Sequence, residues 1–400
     1  MAKPRLLMAM RGDYIGEPSK GGLFFSRDIA LYLSNFMDIY LIGKDKIEDK
    51  KGFWMKKNIQ SKNFPFLDPF KKKLFPSRPF DAFLAIRKSL EEIKKANPDI
   101  IYAQELDFLY LTKLSKPFVL HIHGCFKEML ALRYPKMWRN KRIIPNWLAN
   151  YIGGCLHLHL IRKFLPKIDK IFLSAHSEQL SFLKAKEPLI GAKTVSVPLI
   201  VDTETFVPMD RKEARTILGL PQEHRIFLFV GGLDPLKAPD HLVQAFSIFK
   251  KHHPKSLLLF IGRGTMKGLL KRQVERLGLE KDVLFLGRIP HDRLPLYYNS
   301  ADVFALPSLY EGISLVTLEA LSCGTPIVVT PVVGASEFIR PGIEGFVVEE
   351  GDIPSLAEAL LHSVNLPPEA RELCRKVALR FSKKEVGDYI HKILLSLLGK

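Results

Sequence analysis

The chain has 400 residues, 47% of them apolar, and a formal net charge of +18. That is enough for two ordinary domains with real cores. Four scattered cysteines (Cys125, Cys155, Cys323, Cys374), with no C-x-x-C pair, give no support for a structural zinc and suit free thiols in a reducing compartment.

Along the chain, short apolar runs alternate with amphipathic stretches, the pattern of doubly wound α/β domains. The opening MAKPRLLMAMRGD holds only five apolar residues, Leu6 to Met10, before a charge. This is too short for a signal-peptide core and reads as a first buried strand. RLLMAM, MDIYLIG, DIIYA, PFVLHIH, KIFLSA and TVSVP are the expected strands of the first half. Residues 51–80 hold eight Lys and Arg against one acid, Asp68, with Phe and Trp interleaved; residues 127–142 hold six against Glu128. IIPNWLANYIGGCLHLHLI (143–161) then runs nineteen residues with no charge beyond its two His. It is long enough to span a bilayer, but Pro145, Asn146, Asn150 and two glycines interrupt it. Two readings stand: a buried helix, or a segment lying in the headgroup region with Trp147 and Tyr151 inward.

The segment PLIVDTETFVPMD (198–210) joins the halves, and its prolines suit a linker. RIFLFVG (225–231), SLLLFIG (256–262), VLFLG (283–287), DVFAL (302–306), PIVVT (326–330) and GFVV (345–348) are the strands of the second half. HLVQAFSIFK, MKGLLKRQVERLG and SLAEALLHSV carry helical periodicity between them. The closing SKKEVGDYIHKILLSLLG is amphipathic and suited to pack back on either domain. The expected division is 1–200 and 201–381, with the helix of about 382–400 returning to the first domain. Ligands of such folds sit in the cleft between domains. Charge separates the halves. Residues 1–200 carry 35 Lys and Arg against 18 Asp and Glu, residues 201–400 only 25 against 24. An acidic partner is therefore expected to meet the first half.

EGISLVTLE (311–319) places two glutamates eight positions apart. Chance alone supplies about one such pair in a chain with 23 Glu, and Glu350 with Glu358 is another. Context separates them. Glu311 follows a strand's carboxyl end in a polar loop, and Gly312 lets backbone approach a ligand. A helix is expected from about Ser314 to Ser322, so the N–H groups of Ser314, Leu315 and Val316 offer a seat for a phosphate. Glu319 falls about 7 Å further along that helix, roughly the step from a diphosphate to its ribose. Glu350 and Glu358 have no such loop and read as solvated surface.

EGISLVTLEALSCGTPIVVT resembles the E-G-F-G-x-x-x-x-E-A-x-A-x-G-x-P signature of the retaining GT-B glycosyltransferases of family GT4, with Ile313 and Ser314 at the usual Phe and Gly. VGGLDPLKAPDHLVQAF parallels the family's G-R-L-x-x-x-K-G stretch, IGRG its G-x-G turn, and VPLIVDTETFVP its inter-domain P-N-G-V-D-x-x-x-F. KGG (20–22) parallels its glycine-pair loop and LHIHG (120–124) its strand-end histidine. The resemblance implies an α/β protein of GT-B type, two Rossmann-like domains facing each other across a donor/acceptor cleft. It implies retaining, metal-independent hexosyl transfer without a cofactor, the nucleotide-sugar (UDP-, GDP- or ADP-linked) being a substrate.

Glu311, Lys237 and His123 are the implied catalytic residues. Glu311 would hold the donor sugar's hydroxyls, Lys237 would neutralise the leaving diphosphate, and His123 would bond the sugar's 6-hydroxyl. Glu319 is the implied ribose ligand. Gly312, Ile313, Ser314, Leu315 and Val316 would cradle sugar and diphosphate, and Gly22 would add an N–H from the first domain. Gly232 stands where the family most often has a phosphate-binding Arg, and Arg263, in the next turn, is the candidate substitute. Gln104 and Glu105 replace a frequent His, leaving acceptor chemistry open. His121 is read as structural.

The basic first half turns this reading toward a membrane-associated acceptor, a lipid-linked saccharide or glycolipid, and a peripheral enzyme on the cytoplasmic face of an anionic membrane. The alternatives are a transferase with a soluble acceptor and a GT-B-like nucleotide-sugar epimerase. Basic-aromatic composition also suits single-stranded nucleic acid, but no recognised module is present, so nucleic acid is not an expected partner.

Overall fold

The computed structural model describes residues 3–9, 21–42, 59–60, 93–94, 97–104, 106–123, 158–174, 177–311 and 314–399. The chain divides into two compact units, Met1–Ile200 with Lys383–Lys400, and Val201–Ser382.

The first unit is built on a parallel sheet ordered β3-β2-β1-β4-β5-β6-β7. Its strands are β1 (Arg5–Ala9), β2 (Asp38–Ile42), β3 (Ile59–Gln60), β4 (Ile100–Ala103), β5 (Phe118–His123), β6 (Lys170–Ser174) and β7 (Thr194–Ser196). Each expected run forms a strand. The two-residue β3 was not expected, being too short to carry a periodic signal inside a basic segment. Continuous apolar runs fit a sheet covered on both faces, and separate buried clusters pack on either side.

Helix α1 (Gly21–Leu33) covers one face. The closing helix, Lys383–Leu397, packs beside it: Val386, Ile390 and Leu394 share a core with Phe25, Ile29 and Leu33. Gly387 makes this approach possible, since a Cβ there would stand 2.2 Å from the Tyr32 ring. Tyr32 Oη donates to Asp388 across the same contact at 2.5 Å.

Most of the segments behind the membrane expectation (51–80 apart from Ile59 and Gln60, 127–142 and 143–157, with Trp147 and Tyr151) lie outside the described residues. Cys125 and Cys155 do too. The end of the uncharged stretch is visible: residues 158–161 begin a helix, and Leu158 and Ile161 are buried in the first unit's core. No helix among the described residues is long and apolar enough to cross a membrane.

The second unit carries a parallel sheet ordered β10-β9-β8-β11-β12-β13. Its strands are β8 (Arg225–Val230), β9 (Ser256–Ile261), β10 (Val283–Gly287), β11 (Val303–Leu306), β12 (Ile327–Val329) and β13 (Gly345–Val347). Helix α2 (Arg211–Leu218) starts where Asp210 accepts the Glu213 N–H at 2.9 Å and stops at Gly219, φ 64°. Then follow α3 (Pro239–His252), α4 (Lys267–Arg276), α5 (Leu294–Ser300), α6 (Leu315–Ser322) and α7 (Ile353–Ser363).

Strand order reverses between β8 and β11. Connections leaving their carboxyl ends diverge there, and the crevice they open is the usual ligand site of such sheets. At the opposite, amino edge, buried Asp302 accepts the Ile226 N–H at 2.7 Å and bonds Arg215 and Arg211 at 2.8 and 2.6 Å. A cavity of about 620 Å³ opens beside this cluster. It lies at the end of the sheet away from the motif loops, and its buried charges tie α2 to the strands.

Candidate functional site

Two loops meet at the switch point. After β8 the chain runs through Gly231–Asp234 into a short turn, Pro235–Lys237, that leads into α3. This loop is laced to the one after β9: Gly231 N–H donates to Ile261 at 2.9 Å, Leu233 N–H to Arg263 at 3.0 Å, and Met266 N–H to Leu233 at 2.9 Å. Only glycine fits at 262, where φ is 139° and a Cβ would lie 1.8 Å from the Gly231 oxygen. The Leu236 carbonyl then accepts Leu309 N–H from the β11 loop at 2.8 Å. That bond fixes the two loops edge to edge, and it brings the Lys237 ammonium into an ion pair with the Glu311 carboxylate. Burial pushes the Lys237 ammonium down to about 8, with Asp234 opposing the shift.

Gly312 and Ile313 lie outside the described residues. Ser314 is extended (φ −93°, ψ 108°) and caps α6, so the helix begins at Leu315, one residue later than expected. The first-turn N–H groups of Leu315 and Val316 have no partner within the helix.

Glu319, one turn on, is only 2% exposed. One oxygen accepts from Tyr298 Oη at 2.8 Å and the other from His291 Nε2 at 2.7 Å. His291 opens the turn after β10 and Tyr298 lies in α5. Neither was singled out from the sequence: they stand 28 and 21 residues before Glu319, at no spacing that marks them. Glu358, by contrast, is 70% exposed and faces His362, one turn along α7, at 3.4 Å. Glu350 is exposed in its turn.

The remaining phosphate-side candidates fall as follows. Arg263 is exposed, and its backbone takes part in the loop lacing. The absence of a side chain at Gly232 has a local counterpart: a Cβ there would lie 2.6 Å from Asp234 Oδ2. Asp234 instead receives the Thr265 N–H and hydroxyl, each at 3.3 Å.

In the first unit, Gly22 occupies the first turn of α1 rather than a loop. Its N–H is one of the donors that a helix start leaves unpaired within the helix. His123 ends β5 with Nε2 3.4 Å from Gln104 Oε1, and Gln104 bonds Ser26. Burial pushes the His123 imidazole down to about 4, so it is neutral at ordinary pH. His121, on the same face, is wholly buried between Tyr102 Oη (2.5 Å) and Ser174 Oγ (2.8 Å), a satisfied core residue. Among the described residues no His, Cys, Asp and Glu group is arranged to hold a metal.

Residues 210–380 match the family model described as glycosyl transferases group 1. The second unit is a group 1 glycosyltransferase domain. D-inositol 3-phosphate glycosyltransferase of Mycobacterium tuberculosis is 36% identical over 227 residues, 54% of this chain and 46% of that protein. The chain thus spans about half the length of the curated relatives it matches. Whole-chain likeness is structural. Sucrose-phosphate synthase from Thermosynechococcus elongatus superposes with a TM-score of 0.75 at 19% identity, covering 100% of both chains. Anabaena Alr3699/HepE in complex with UDP gives 0.70 at 19%, covering 98% of this chain and 100% of that one. At these identities the likeness establishes the fold, which is GT-B, and the group 1 domain is its second half.

Proposed function

We propose that the chain is a retaining, metal-independent glycosyltransferase that moves a hexosyl group from a nucleotide-sugar to a lipid-linked saccharide or glycolipid at an anionic membrane. The observation that carries the donor half of this reading is the meeting of Lys237 with Glu311 at the switch point of a group 1 domain. A cation beside a carboxylate at that position can serve both ends of a sugar diphosphate: Lys237 takes the charge that develops on the leaving group, and Glu311 accepts from the sugar hydroxyls. The α6 N-terminus offers N–H donors to the diphosphate, with Gly312 to Val316 as the cradle. Glu319 anchors the nucleoside end. Gly22, Arg263 and neutral His123 complete the donor set. In the reaction the anomeric C–O bond to the diphosphate breaks and a bond to the acceptor oxygen forms on the same face. The acceptor's proton passes to the departing phosphate, so no protein base is required.

The acceptor half rests on charge. Five or six basic residues engaged at once, each contributing on the order of 1 kcal/mol, suffice for peripheral binding to an anionic leaflet. The relatives' names favour a second reading, a soluble phosphorylated acceptor, since they specify inositol 3-phosphate and sucrose-phosphate. Flotation separates the two. On the first reading the protein rises with phosphatidylglycerol vesicles at low salt and less at high salt; if it stays down at every salt, the soluble acceptor takes its place. In turnover assays with UDP-, GDP- and ADP-sugars, product seen by NMR should keep the donor's anomeric configuration, and activity should survive EDTA. Inversion, or loss to the chelator, would falsify the mechanistic reading.

The depressed ammonium predicts a pH dependence. The charged form holds diphosphate, and the free enzyme loses that form as pH rises through about 8. Donor kcat/KM is therefore expected to fall above pH 8, approaching about tenfold per unit. Lys237→Arg, which stays charged, should remove the fall. A flat wild-type profile up to pH 9.5 would count against the role given to Lys237.

A further inference from the structure

We infer that the cavity at the amino edge of the second sheet is a binding site for a small phosphate monoester, separate from the donor loops. Its volume, about 620 Å³, is that of a small-molecule pocket. Among its lining residues His224, Asp302 and Pro326 directly precede β8, β11 and β12, which puts it at the end of the sheet opposite Lys237 and Glu311.

Five cationic side chains line the cavity, Arg211, Lys212, Arg215, Arg225 and Arg371, against Asp210, Glu223 and Asp302. The acids do not balance them. Asp302 alone serves three guanidiniums, Arg211 at 2.6 Å, Arg215 at 2.8 Å and Arg225 at 3.9 Å. Asp210 is engaged at the start of α2, and Glu223 is exposed. Arg371 bonds only neutral acceptors among the described residues. Its Nη2 donates to the Met209 and Cys323 carbonyls and to Asn299 Oδ1, at 3.1, 3.4 and 3.2 Å. Burial and the neighbouring Arg211 both push this guanidinium down from the ordinary arginine value.

Hydrogen-bonding capacity is left over as well. Arg371 Nη1, Arg211 Nε, His224 Nδ1 and Ser363 Oγ are buried with no hydrogen-bond partner among the described residues, and all four residues line this one cavity. Buried polar groups are normally paired. Water could satisfy them, but it would leave the excess of positive charge as it is. An anion answers both. The starts of α2 and of the helix Ala370–Leu379 also line the cavity, and helix starts favour negative charge. Planar guanidiniums suit the oxygens of a phosphate. Val364, Leu366 and Pro326 supply an apolar wall, so the fit is a phosphate carried on a small organic group.

The test is calorimetry on the full chain with inorganic phosphate, glycerol 3-phosphate and glycerol. Both phosphates should bind the wild type, the ester more tightly, and glycerol should not. Arg371→Gln should weaken the ester at least about tenfold, as for loss of a charge-assisted hydrogen bond. Arg371 also ties three acceptors of the fold, so a second variant keeps the test available if this one does not fold. Lys212 is exposed, and Lys212→Glu reverses a charge at the rim without opening the core; it should weaken the ester by a similar factor. Lys237→Ala, at the opposite edge, should leave the ester's affinity unchanged. An affinity that is lost with Lys237→Ala, or that survives the charge changes at 371 and 212, places the anion elsewhere and overturns the inference. So does a wild type that binds neither phosphate at millimolar concentration, or that binds the ester no better than the bare ion.

Discussion

Glu311→Ala and Lys237→Ala are each expected to cut turnover at least about 100-fold, the scale on which a preorganised electrostatic contact at developing charge acts. The two side chains form one ion pair in the free protein, so removing either takes that pairing from the other, which is partly buried. Their effects should for that reason be non-additive: the double variant should lose little more than the worse single one. Glu358→Ala is the control, because that carboxylate sits 70% exposed beside His362. An equal loss of turnover there would remove the distinction between the two glutamate pairs.

The largest expected effect on stability lies at the amino edge of the second sheet. Arg215 is 4% exposed and bonds the carbonyls of Ser300, Gln222 and His224 as well as the Asp302 carboxylate. Arg215→Ala strands three carbonyls and removes the most buried partner of a nearly buried charge. A cost of about 3–5 kcal/mol is expected, as for other buried pairs broken on one side. Lys376→Ala breaks an ion pair with Glu372 whose members are 62% and 71% exposed, so it should change stability very little. Chemical denaturation of the three proteins checks this, and equal midpoints for Arg215→Ala and Lys376→Ala would show that the cluster is not structural.

Much of the fold was legible because burial on both faces of a parallel sheet forces runs such as RIFLFV and SLLLFI to be apolar throughout. Gly219 and Gly324 end α2 and α6 at left-handed turns, which only glycine takes without strain. The first glutamate was legible for a related reason: strand end, polar loop and helix start are all written locally between Pro307 and Ser322. What surrounds Glu319 was not. Its two donors come from a different strand–helix connection, and the hydrogen bonds that join them form only after the sheet has ordered its strands. The KGG stretch reads as a loop because two adjacent glycines suit a turn, although α1 begins with them. Asp234 escaped notice for a subtler reason. An acid beside a missing arginine looks like a defect until the loops after β8 and β9 are seen laced together, with Asp234 bonded to Thr265.

The return of Lys383–Leu397 to the first unit means that the second unit is, in connectivity, an insertion. The polypeptide leaves one unit at Ile200 and re-enters it at Lys383. The two ends of the inserted piece are fastened to each other, since Val201 bridges Ser382 and its N–H donates to Phe381 at 2.9 Å. Residues 201–382 therefore form a closed module that can be cut out between neighbouring points, as tolerated insertions usually can. Residues 1–200 are not the complementary piece. A stop codon at position 383 would leave the group 1 domain whole and strip Val386, Ile390 and Leu394 from the core of the other unit, so damage from a truncated tail would surface at the far end of the gene product.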